Sequence, residues 1–342
     1  MDKPSSFSEF EVIRRFLATP ELSFSREGVE LGIGDDAALI DVPSNKHLAM
    51  SMDVLIAGVH FPQDADPASI AYRALAVNLS DLAAMAAEPL CFTLGLVLPE
   101  VDERWLGGFS AGLSGLARAH NCPLVGGDTS LGPLSISIQV QGLAEKNGAA
   151  RRCGAQLGDR VYVSGTLGDG AIALLALGLE SHLGSTFVLA EGEMSATCLQ
   201  FFEDAYYKPR PRIELAARAG HLFSSCIDIS DGLLGDLQHI LDASELGSTI
   251  VLDAIPYSEA AMRCVDEENR LLAALSGGDD YELCFTVAEK DCNELEAIAT
   301  KIGVDLSCVG EITAGEGISF VAADGSAVEI GTQAFQHFNA PA

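Results

Sequence analysis

Aspartates flanked by small residues are the side chains of this sequence best suited to chemistry. They recur in six segments, within two residues of glycine, serine or a second aspartate, where predicted strands or helices end. Glycine allows the tight backbone geometry that brings an oxygen ligand to an ion or phosphate. Mg²⁺ prefers such oxygen ligands, so the pattern predicts sites for hard cations. The aspartates are Asp35 and Asp36 in GIGDDAAL, Asp53 in SMDVL, Asp81 in NLSDLAAM, Asp128 in GGDTS, Asp228 and Asp231 in IDISDGLL, and Asp279 and Asp280 in SGGDDYEL.

Taken singly, an aspartate of this kind is more often a turn residue or a helix cap. Asp231, in front of GLLGDLQHIL, has the position of such a cap. The number of segments favours metal binding, because several adjoin apolar runs and an uncompensated buried carboxylate is costly. The chain has 20 Lys and Arg against 49 Asp and Glu, so its cations cannot pair with every carboxylate. Bound metal ions would neutralise the remainder.

Many carboxylates with few nearby bases suit metal-assisted phosphoryl transfer, in which positioning and charge neutralisation supply most of the catalysis. The common phosphate-binding loop GxxxxGK(S/T) is absent, because no lysine of the chain follows a glycine. The glycines of VSGTLGDGAIALL stand at 165, 168 and 170, in the wrong order for a dinucleotide fingerprint. A tight structural turn is the favoured interpretation there, and contact with a phosphate is the alternative.

Two basic features lie near these segments. His60, in AGVHF, is the histidine that lies beside an acidic motif, and by itself it is more often structural or exposed. Arg151 and Arg152 form an adjacent pair that could bind a nucleotide phosphate, since arginine grips phosphate in a bidentate way. A solvated pair in a linker is an equally good interpretation from spacing alone.

Hydrophobic periodicity predicts alternating helices and strands throughout, which places the chain in the α/β or α+β class. The segment 144–159 lacks periodicity and is rich in Gly, Ala and charge, so it predicts a domain boundary. We expect an N-terminal domain over 1–145 and a C-terminal α/β domain over 150–342. Helices are predicted at 8–17, 69–87, 105–120, 171–179, 212–219 and 232–243, and strands at 47–55 (buried), 89–99, 134–143, 160–165, 224–230, and around CFTVA, SCVGEI and ISFVAA.

Composition limits the functional class. The net charge of −29 argues against nucleic acid or an anionic membrane as the main partner, because both would repel the chain. The nine cysteines include no CxxC pair, so we interpret them as small buried hydrophobic residues in a reducing cytosol. The N-terminal residues lack the apolar core of a signal peptide, and no stretch approaches the length of a membrane span. We therefore expect a cytoplasmic protein.

A set of motifs in one order carries a family resemblance from about residue 30 to the C-terminus. The motifs are GIGDDAAL, SMDVLIAGVHF, AVNLSDLAAMAAEP, GGDTS, GDRVYVSGTLGDGAIAL, KPRPRIEL, IDISDGLLGDLQHI and SGGDDYELCFTV. Together they resemble the thiamine-monophosphate kinases, which belong to the group of ATP-dependent enzymes that contains aminoimidazole ribonucleotide synthetase.

This resemblance implies a two-domain fold in which the N-terminal sheets of a homodimer pair into a barrel, with active sites in clefts near that interface. It implies that ATP and thiamine monophosphate give ADP and thiamine diphosphate by direct in-line, Mg²⁺-assisted transfer, a step of thiamine biosynthesis. The N-terminal domain would bind metal and ATP and form the dimer. The C-terminal domain would complete the substrate cleft.

Carried over residue by residue, the family pattern implies three kinds of site. The implied Mg²⁺ ligands are Asp36, Ser51, Asp53, Asp81, Asp128, Asp228 and Asp231, of which Asp53, Asp81 and Asp128 are assigned the catalytic role. The implied ATP contacts are Gly127, Asp128, Arg152 and Ser230, and the implied contacts with thiamine monophosphate are His60, Asp279 and Phe335. The resemblance thus favours a functional interpretation of His60 and Arg152.

Two positions depart from the family pattern. Met52 stands where the family often has a threonine whose oxygen reaches a metal, so a backbone carbonyl or water must replace that oxygen. Asp279 stands where the family often has glutamate and is one methylene shorter.

The alternative functions are those of another ATP-dependent enzyme of the same group, such as aminoimidazole ribonucleotide synthetase, and of an acidic cation-binding protein. The sequence argues against the latter because it has no EF-hand loop.

Overall fold

The computed structural model describes residues 8–179, 183 and 194–330. The chain divides into two compact units. The first comprises the described residues up to Leu82 together with Ala87–Asn147, and the second comprises Ala83–Ala86 and the described residues from Gly148 onward. The chain passes from the first unit to the second within the aperiodic segment 144–159.

The first unit begins with a short helical segment that starts at a serine. α1 spans Glu9–Val12 and continues as a π-helical turn over Ile13–Leu17. The backbone N–H of Ser8 donates to Glu11 Oε2 at 2.9 Å, as in a capping box. The helix predicted at 8–17 is therefore confirmed. Two short strands, β1 (Val29–Leu31) and β2 (Leu39–Ile40), follow as an antiparallel pair.

A mixed sheet and two helices make up the rest of the first unit. The elements are β3 (Lys46–Ile56), α2 (Pro67–Ala84), β4 (Glu88–Leu98), α3 (Glu103–Ala119), β5 (Leu124–Leu131) and β6 (Ser135–Glu145). Within the described residues the strand order is β3-β6-β4-β5, with β4 and β5 parallel and the other pairs antiparallel. α3 is the crossover that a parallel pair requires. α2 begins at Pro67, two residues before the predicted start, because the Asp66 carboxylate accepts the N–H of Ser69 at 2.9 Å and Pro67 suits the first turn.

The strand predicted at 47–55 exists, but the prediction that it is buried is wrong. β3 is an edge strand with an inner face of alternate residues such as Ser51, Asp53 and Leu55. The other face carries apolar side chains that stay exposed: Leu48, Met50, Met52, Val54 and Ile56. Hydropathy could not distinguish the two cases, because an apolar residue gives the same signal whether its own chain covers it or leaves it open.

The second unit is built on a larger sheet. Its strands are β7 (Arg160–Ser164), β8 (Phe223–Asp228), β9 (Gly247–Val251), β10 (Leu283–Val287), β11 (Leu306–Thr313), β12 (Gly317–Val321) and β13 (Ala327–Val328). Among the described residues their order is β13-β12-β9-β11-β7-β10-β8, and every pair except β12 with β9 is antiparallel. Its helices are α4 (Asp169–Ala176), α5 (Ala196–Tyr207), α6 (Ile213–Ala219), α7 (Leu233–Ser244), α8 (Glu259–Cys264), α9 (Glu267–Ser276) and α10 (Cys292–Ile302).

The central strands of this sheet are buried on both faces. On β7, Val161 and Val163 pack into one hydrophobic core, while Tyr162 between them packs into another. β10 divides in the same way, with Cys284 on one side and Phe285 on the other. Successive side chains of a strand point to opposite faces, so a nearly continuous apolar run indicates helices on both sides. The predicted α/β class is confirmed. No helix in the described ranges is both long and apolar enough to cross a membrane.

Candidate active site

Three of the predicted metal ligands of the first unit come together between β3 and α2. Ser51 and Asp53 lie on the inner face of β3, and Asp81 lies near the end of α2. The Ser51 hydroxyl donates to Asp81 Oδ2 at 2.6 Å. The backbone N–H of Asp53 donates to the side chain of Asn78, one helical turn before Asp81, at 3.1 Å. These contacts fix the strand against the helix and place the two carboxylates in each other's field.

The electrostatics of this carboxylate pair suit a hard cation. Burial, and then the negative charge of Asp81, raise the pKa of Asp53 from 3.8 to about 6, while Arg73 on α2 acts in the opposite direction. Two carboxylates that disfavour each other's ionisation gain most from a nearby positive charge. The donor set of two carboxylates and a hydroxyl contains only oxygen, which is what Mg²⁺ prefers. The residues present therefore fit the implied metal.

Three further predicted residues line a cavity in the first unit. Asp36, Gly127 and Asp128 contribute to a space of about 680 Å³, whose apolar walls include Phe10 and Ile13. Gly127 has a φ of +152°, and a Cβ there would collide with the Leu94 carbonyl oxygen. Only glycine allows the two backbones to approach so closely. The next residue, Asp128, lies within β5, and not at the end of a strand as the sequence predicted.

The sheet register relates these two groups of residues. Asp53 pairs with Ile138 of β6, Ile138 pairs with Leu94 of β4, and Leu94 pairs with Gly127 of β5. Asp53 and Gly127 therefore lie in one row across the sheet, three strands apart, about 14 Å at the usual strand spacing. In the part of the chain that is described, no three His, Cys, Asp or Glu side chains converge closely enough to hold a metal alone. Mg²⁺ ordinarily needs only one or two carboxylates beside water and substrate phosphates.

His60 lies in a tight turn directly after β3. Its backbone N–H donates to the Ile56 carbonyl at 2.9 Å, and its Nδ1 accepts the Ile56 N–H at 3.1 Å. Gly58, with a φ of +78°, allows the chain to reverse there. The turn holds the imidazole in a defined orientation at the end of the strand that carries Asp53.

Predicted metal and nucleotide ligands of the second unit follow β8. Asp228 is the last residue of β8 and is 6% exposed, while Ser230 and Asp231 form the turn into α7. The Asp236 carboxylate on α7 accepts the N–H groups of both Ser230 and Asp231 at 3.0 Å. Burial raises the pKa of Asp236 to about 7, although those amides and the charge of Arg152 favour its ionised form. Asp236 is thus an internal cap that shapes the turn, and Arg152 lies close enough to influence it.

The loop that contains Asp279 is hydrogen-bonded directly to this turn. The N–H of Asp279 donates to the Ser230 carbonyl at 2.9 Å, and that of Tyr281 donates to Ile229 at 2.8 Å. Asp279 and Tyr281 have φ values of +63° and +51°, a left-handed conformation that is unfavourable for residues with a Cβ. The backbone bonds offset that strain. They place the predicted substrate residue Asp279 directly beside the predicted nucleotide residue Ser230.

Asp280 explains the glycine-rich turn that precedes α4. Its carboxylate accepts the N–H groups of Gly168 at 2.8 Å and Gly170 at 3.1 Å. Burial raises the pKa of Asp280 well above 3.8, and the two amides oppose that shift. Because an internal carboxylate already holds these amides, the structural interpretation of the turn is correct and the phosphate alternative is not supported. The same contact anchors the loop on which Asp279 lies.

Comparison with known proteins identifies the family. Residues 34–144 match the model of the AIR synthase related protein N-terminal domain, and residues 156–323 match the corresponding C-terminal domain. Over 334 residues the chain is 43% identical to the thiamine-monophosphate kinase of Salmonella typhimurium, covering 97% of this chain and 99% of that protein. The chain belongs to the thiamine-monophosphate kinase family. The family predicted from the ordered motifs is therefore confirmed.

Solved structures of this family share the fold. The crystal structure of thiamine-monophosphate kinase from Stenotrophomonas maltophilia superposes with a TM-score of 0.80 at 37% identity, covering 95% of this chain and 98% of that one. A structure described as AaThiL complexed with AMPPCP and TMP gives a TM-score of 0.73 at 29% identity, covering 90% and 92%. The predicted two-domain fold of the family is confirmed, and the pairing of N-terminal sheets into a barrel stays a prediction.

Reasoning from the sequence missed two residues that position the site in this member of the family. Asp236 appeared only as part of a helical motif, and Asp280 only as the second half of an acidic pair. Both accept pairs of backbone N–H groups across a turn. The adjacency of Asp279 and Asp280 was a signal that the two had separate roles, since neighbouring side chains point in different directions. The predicted substrate residue Phe335 lies outside the described residues.

Proposed function

We propose that this chain transfers the γ-phosphoryl group of ATP to the phosphate of thiamine monophosphate, giving ADP and thiamine diphosphate. The observation that carries this proposal is the full-length similarity to kinases of that name, together with a structural neighbour described as bound to AMPPCP and TMP. The site residues are in keeping with it, because they supply oxygen ligands and backbone turns and few bases. Membership of this family does not favour aminoimidazole ribonucleotide synthesis.

Metal binding in this proposal falls to the aspartates. The first unit offers Asp36, Ser51, Asp53, Asp81 and Asp128, and the second offers Asp228 and Asp231. When bound there, Mg²⁺ would neutralise phosphate charge, which is the main obstacle to bringing two anions together. The chain contributes orientation. The Ser51 hydroxyl donates to the Asp81 carboxylate, and the Asn78 side chain accepts the N–H of Asp53, so β3 and α2 hold the two aspartates in place.

Substrate contacts are assigned to the residues that the family pattern implies. We assign ATP contacts to Gly127, Asp128, Arg152 and Ser230, and contacts with thiamine monophosphate to His60, Asp279 and Phe335. The hydrogen bond from Asp279 N–H to the Ser230 carbonyl supports this, because it places one residue of each group side by side. No general base is required, because the attacking phosphate oxygen is already largely deprotonated near pH 7.

A homodimer is the assembly we propose. The outward face of β3 exposes Met50 and Met52 at 55% and 54%, in a row with Leu48, Val54 and Ile56. A contiguous apolar row on an edge strand is a typical protein interface and a liability when uncovered. A second copy of the chain would cover it. We expect Met50→Lys to shift the chain to monomer in sedimentation, whereas Lys46→Met on the same strand should not.

We also propose a cytoplasmic location, where ATP is available.

One assay tests the proposed function. ADP formation is followed with Mg²⁺ and ATP, with and without thiamine monophosphate, and thiamine diphosphate is identified by mass. We expect ADP release to depend on thiamine monophosphate and to be lost when the metal is chelated. Thermal shifts with Mg-ATP, then thiamine monophosphate, then aminoimidazole precursors provide the binding control. Stabilisation by the aminoimidazole precursors alone would contradict the proposal.

A further inference from the structure

Two cysteines that are 66 positions apart in the sequence meet in the second unit. Cys198 lies in the first turn of α5, and Cys264 is the last residue of α8. Their sulfur atoms are 2.6 Å apart. Both belong to the hydrophobic cluster that packs α4, α5 and α8 together. A disulfide has an S–S distance of about 2.05 Å, so bond formation requires only a small movement of these side chains.

The surroundings make the two thiols unequal. Cys198 is the third residue of α5, and its backbone N–H donates to the Ser195 hydroxyl that caps the helix. Hydrogen bonding from Cys264, and then from Ser195, lowers the pKa of the Cys198 thiol. Burial raises the pKa of Cys264 to about 11, so the shared proton stays on that sulfur. Cys198 is therefore the better nucleophile, and Cys264 is placed to resolve an oxidised Cys198.

The other cysteines provide a contrast. Cys226 and Cys284, on the paired strands β8 and β10, are completely enclosed, and burial raises the pKa of both thiols. Such cysteines are inert. Cys153 is exposed but has no cysteine among its hydrogen-bond partners in the described chain. Cys198 is also largely buried, at 9% exposure, but it touches Cys264, which is partly exposed. Among the described residues, only this pair combines direct contact between two sulfurs with a thiol whose pKa is lowered.

We propose that Cys198 and Cys264 form a reversible redox site that hydrogen peroxide oxidises to a disulfide. The Cys198 thiolate attacks one peroxide oxygen, breaks the O–O bond and becomes a sulfenic acid, and the other oxygen leaves as water after taking up a proton. The Cys264 sulfur then attacks the Cys198 sulfur, loses its proton, and releases the second oxygen as water. In total, two thiols lose two electrons and two protons, and one peroxide becomes two waters. A dithiol reductant reverses the reaction by exchange.

The disulfide would join α5 covalently to the end of α8. The cap residue of α8 is Ser258, whose hydroxyl donates at 2.6 Å to Asp169, the first residue of α4. The disulfide would close the chain between residues 198 and 264 into a loop. Closing so long a loop restricts the unfolded chain, so the oxidised protein should be the more stable form. This inference does not depend on the identity of the enzyme's substrates.

The test uses the full-length chain. Reduced protein is treated with hydrogen peroxide, remaining thiols are blocked with a maleimide under denaturing conditions, and the peptides are mapped by mass spectrometry. We expect the thiol count to fall by two, a single Cys198–Cys264 cross-link, and a thermal midpoint higher by at least about 5 °C. Dithiothreitol should restore both thiols and the original midpoint.

Four variants complete the test. Cys198→Ser and Cys264→Ser should each remove the cross-link and the thermal shift, and Cys264→Ser should leave Cys198 as a trappable sulfenic acid. Cys198→Ala serves in the same role if the serine variant does not fold. Cys153→Ser is the matched control and should behave like the unaltered chain. Oxidation confined to Cys153 or Cys308, or a thermal shift that persists in Cys198→Ser, would overturn the proposal.

Discussion

Buried carboxylates serve different purposes in the two units. In the first unit, Asp53 lies in the field of Asp81, whose carboxylate accepts a hydrogen bond from the Ser51 hydroxyl. In the second unit, Asp236 and Asp280 each accept two backbone N–H groups. In the first arrangement one carboxylate raises the pKa of another, whereas in the second the carboxylates complete turns.

This comparison shows that a perturbed pKa does not by itself distinguish a ligand site from a structural cap. Burial raises the pKa of Asp53 to about 6 and that of Asp236 to about 7. The two groups differ in the interaction that, after burial, affects the pKa most. For Asp53 it is another carboxylate, which a cation would relieve, and for Asp236 it is a backbone amide, which already favours the charge.

The largest effect should follow from Asp53→Asn. The amide keeps the size of the side chain but removes the anionic oxygen proposed to bind metal, so we expect kcat to fall by about 100-fold or more. The thermal midpoint should stay the same or rise slightly, because repulsion with Asp81 is removed. Turnover measured over a range of Mg²⁺ concentrations, beside the melting curve, checks both expectations. The exposed Asp64→Asn is the control, and turnover in Asp53→Asn equal to that of Asp64→Asn would contradict the metal assignment.

An intermediate effect should follow from Asp280→Ala, which removes a cap instead of a ligand. The amides of Gly168 and Gly170 lose their acceptor, so we expect the free energy of unfolding to fall by about 2 kcal/mol. The KM for thiamine monophosphate should rise as well, because the loop that carries Asp279 is released. Urea unfolding and steady-state kinetics measure the two effects. Asp279→Asn should raise that KM with little change in stability. Equal destabilisation in both variants would contradict the assignment of Asp280 as a cap and Asp279 as a substrate contact.

The smallest effect concerns pH. Burial raises the pKa of Asp169 above 3.8, while the hydroxyls of Ser258 and Thr166 oppose that shift. The folded chain therefore holds this proton more tightly than the unfolded chain, and stability falls as pH rises above 3.8. In Asp169→Asn this contribution disappears, so unfolding free energy measured from about pH 4 to about pH 7 should decline less steeply. Asp64→Asn should keep the original slope, and a steeper decline in Asp169→Asn would show that the sign is wrong.

The candidate ligands could be named before the fold was known, but the contacts that support them could not. The aspartates beside glycine stand out because few residues tolerate such turns, and the ordered motifs led to the correct family. Asp236 and Asp280 were missed because a cap is defined by the N–H groups whose hydrogen bonds it accepts. For Asp280 these are the N–H groups of Gly168 and Gly170, which lie over 100 positions away in the sequence. The exposure of β3 was missed because hydropathy does not report what covers a strand.

The sequence alone determined the fold class, the six helices and eight strands predicted from periodicity, the family and the set of candidate ligands. Local signals carry this information, since periodicity, caps and glycine turns act within a few residues. Only the tertiary structure decided which carboxylates face each other, which ones complete turns, and that Cys198 meets Cys264. These facts depend on contacts between distant parts of the chain, which are set by how the sheets and helices pack and not by neighbouring residues.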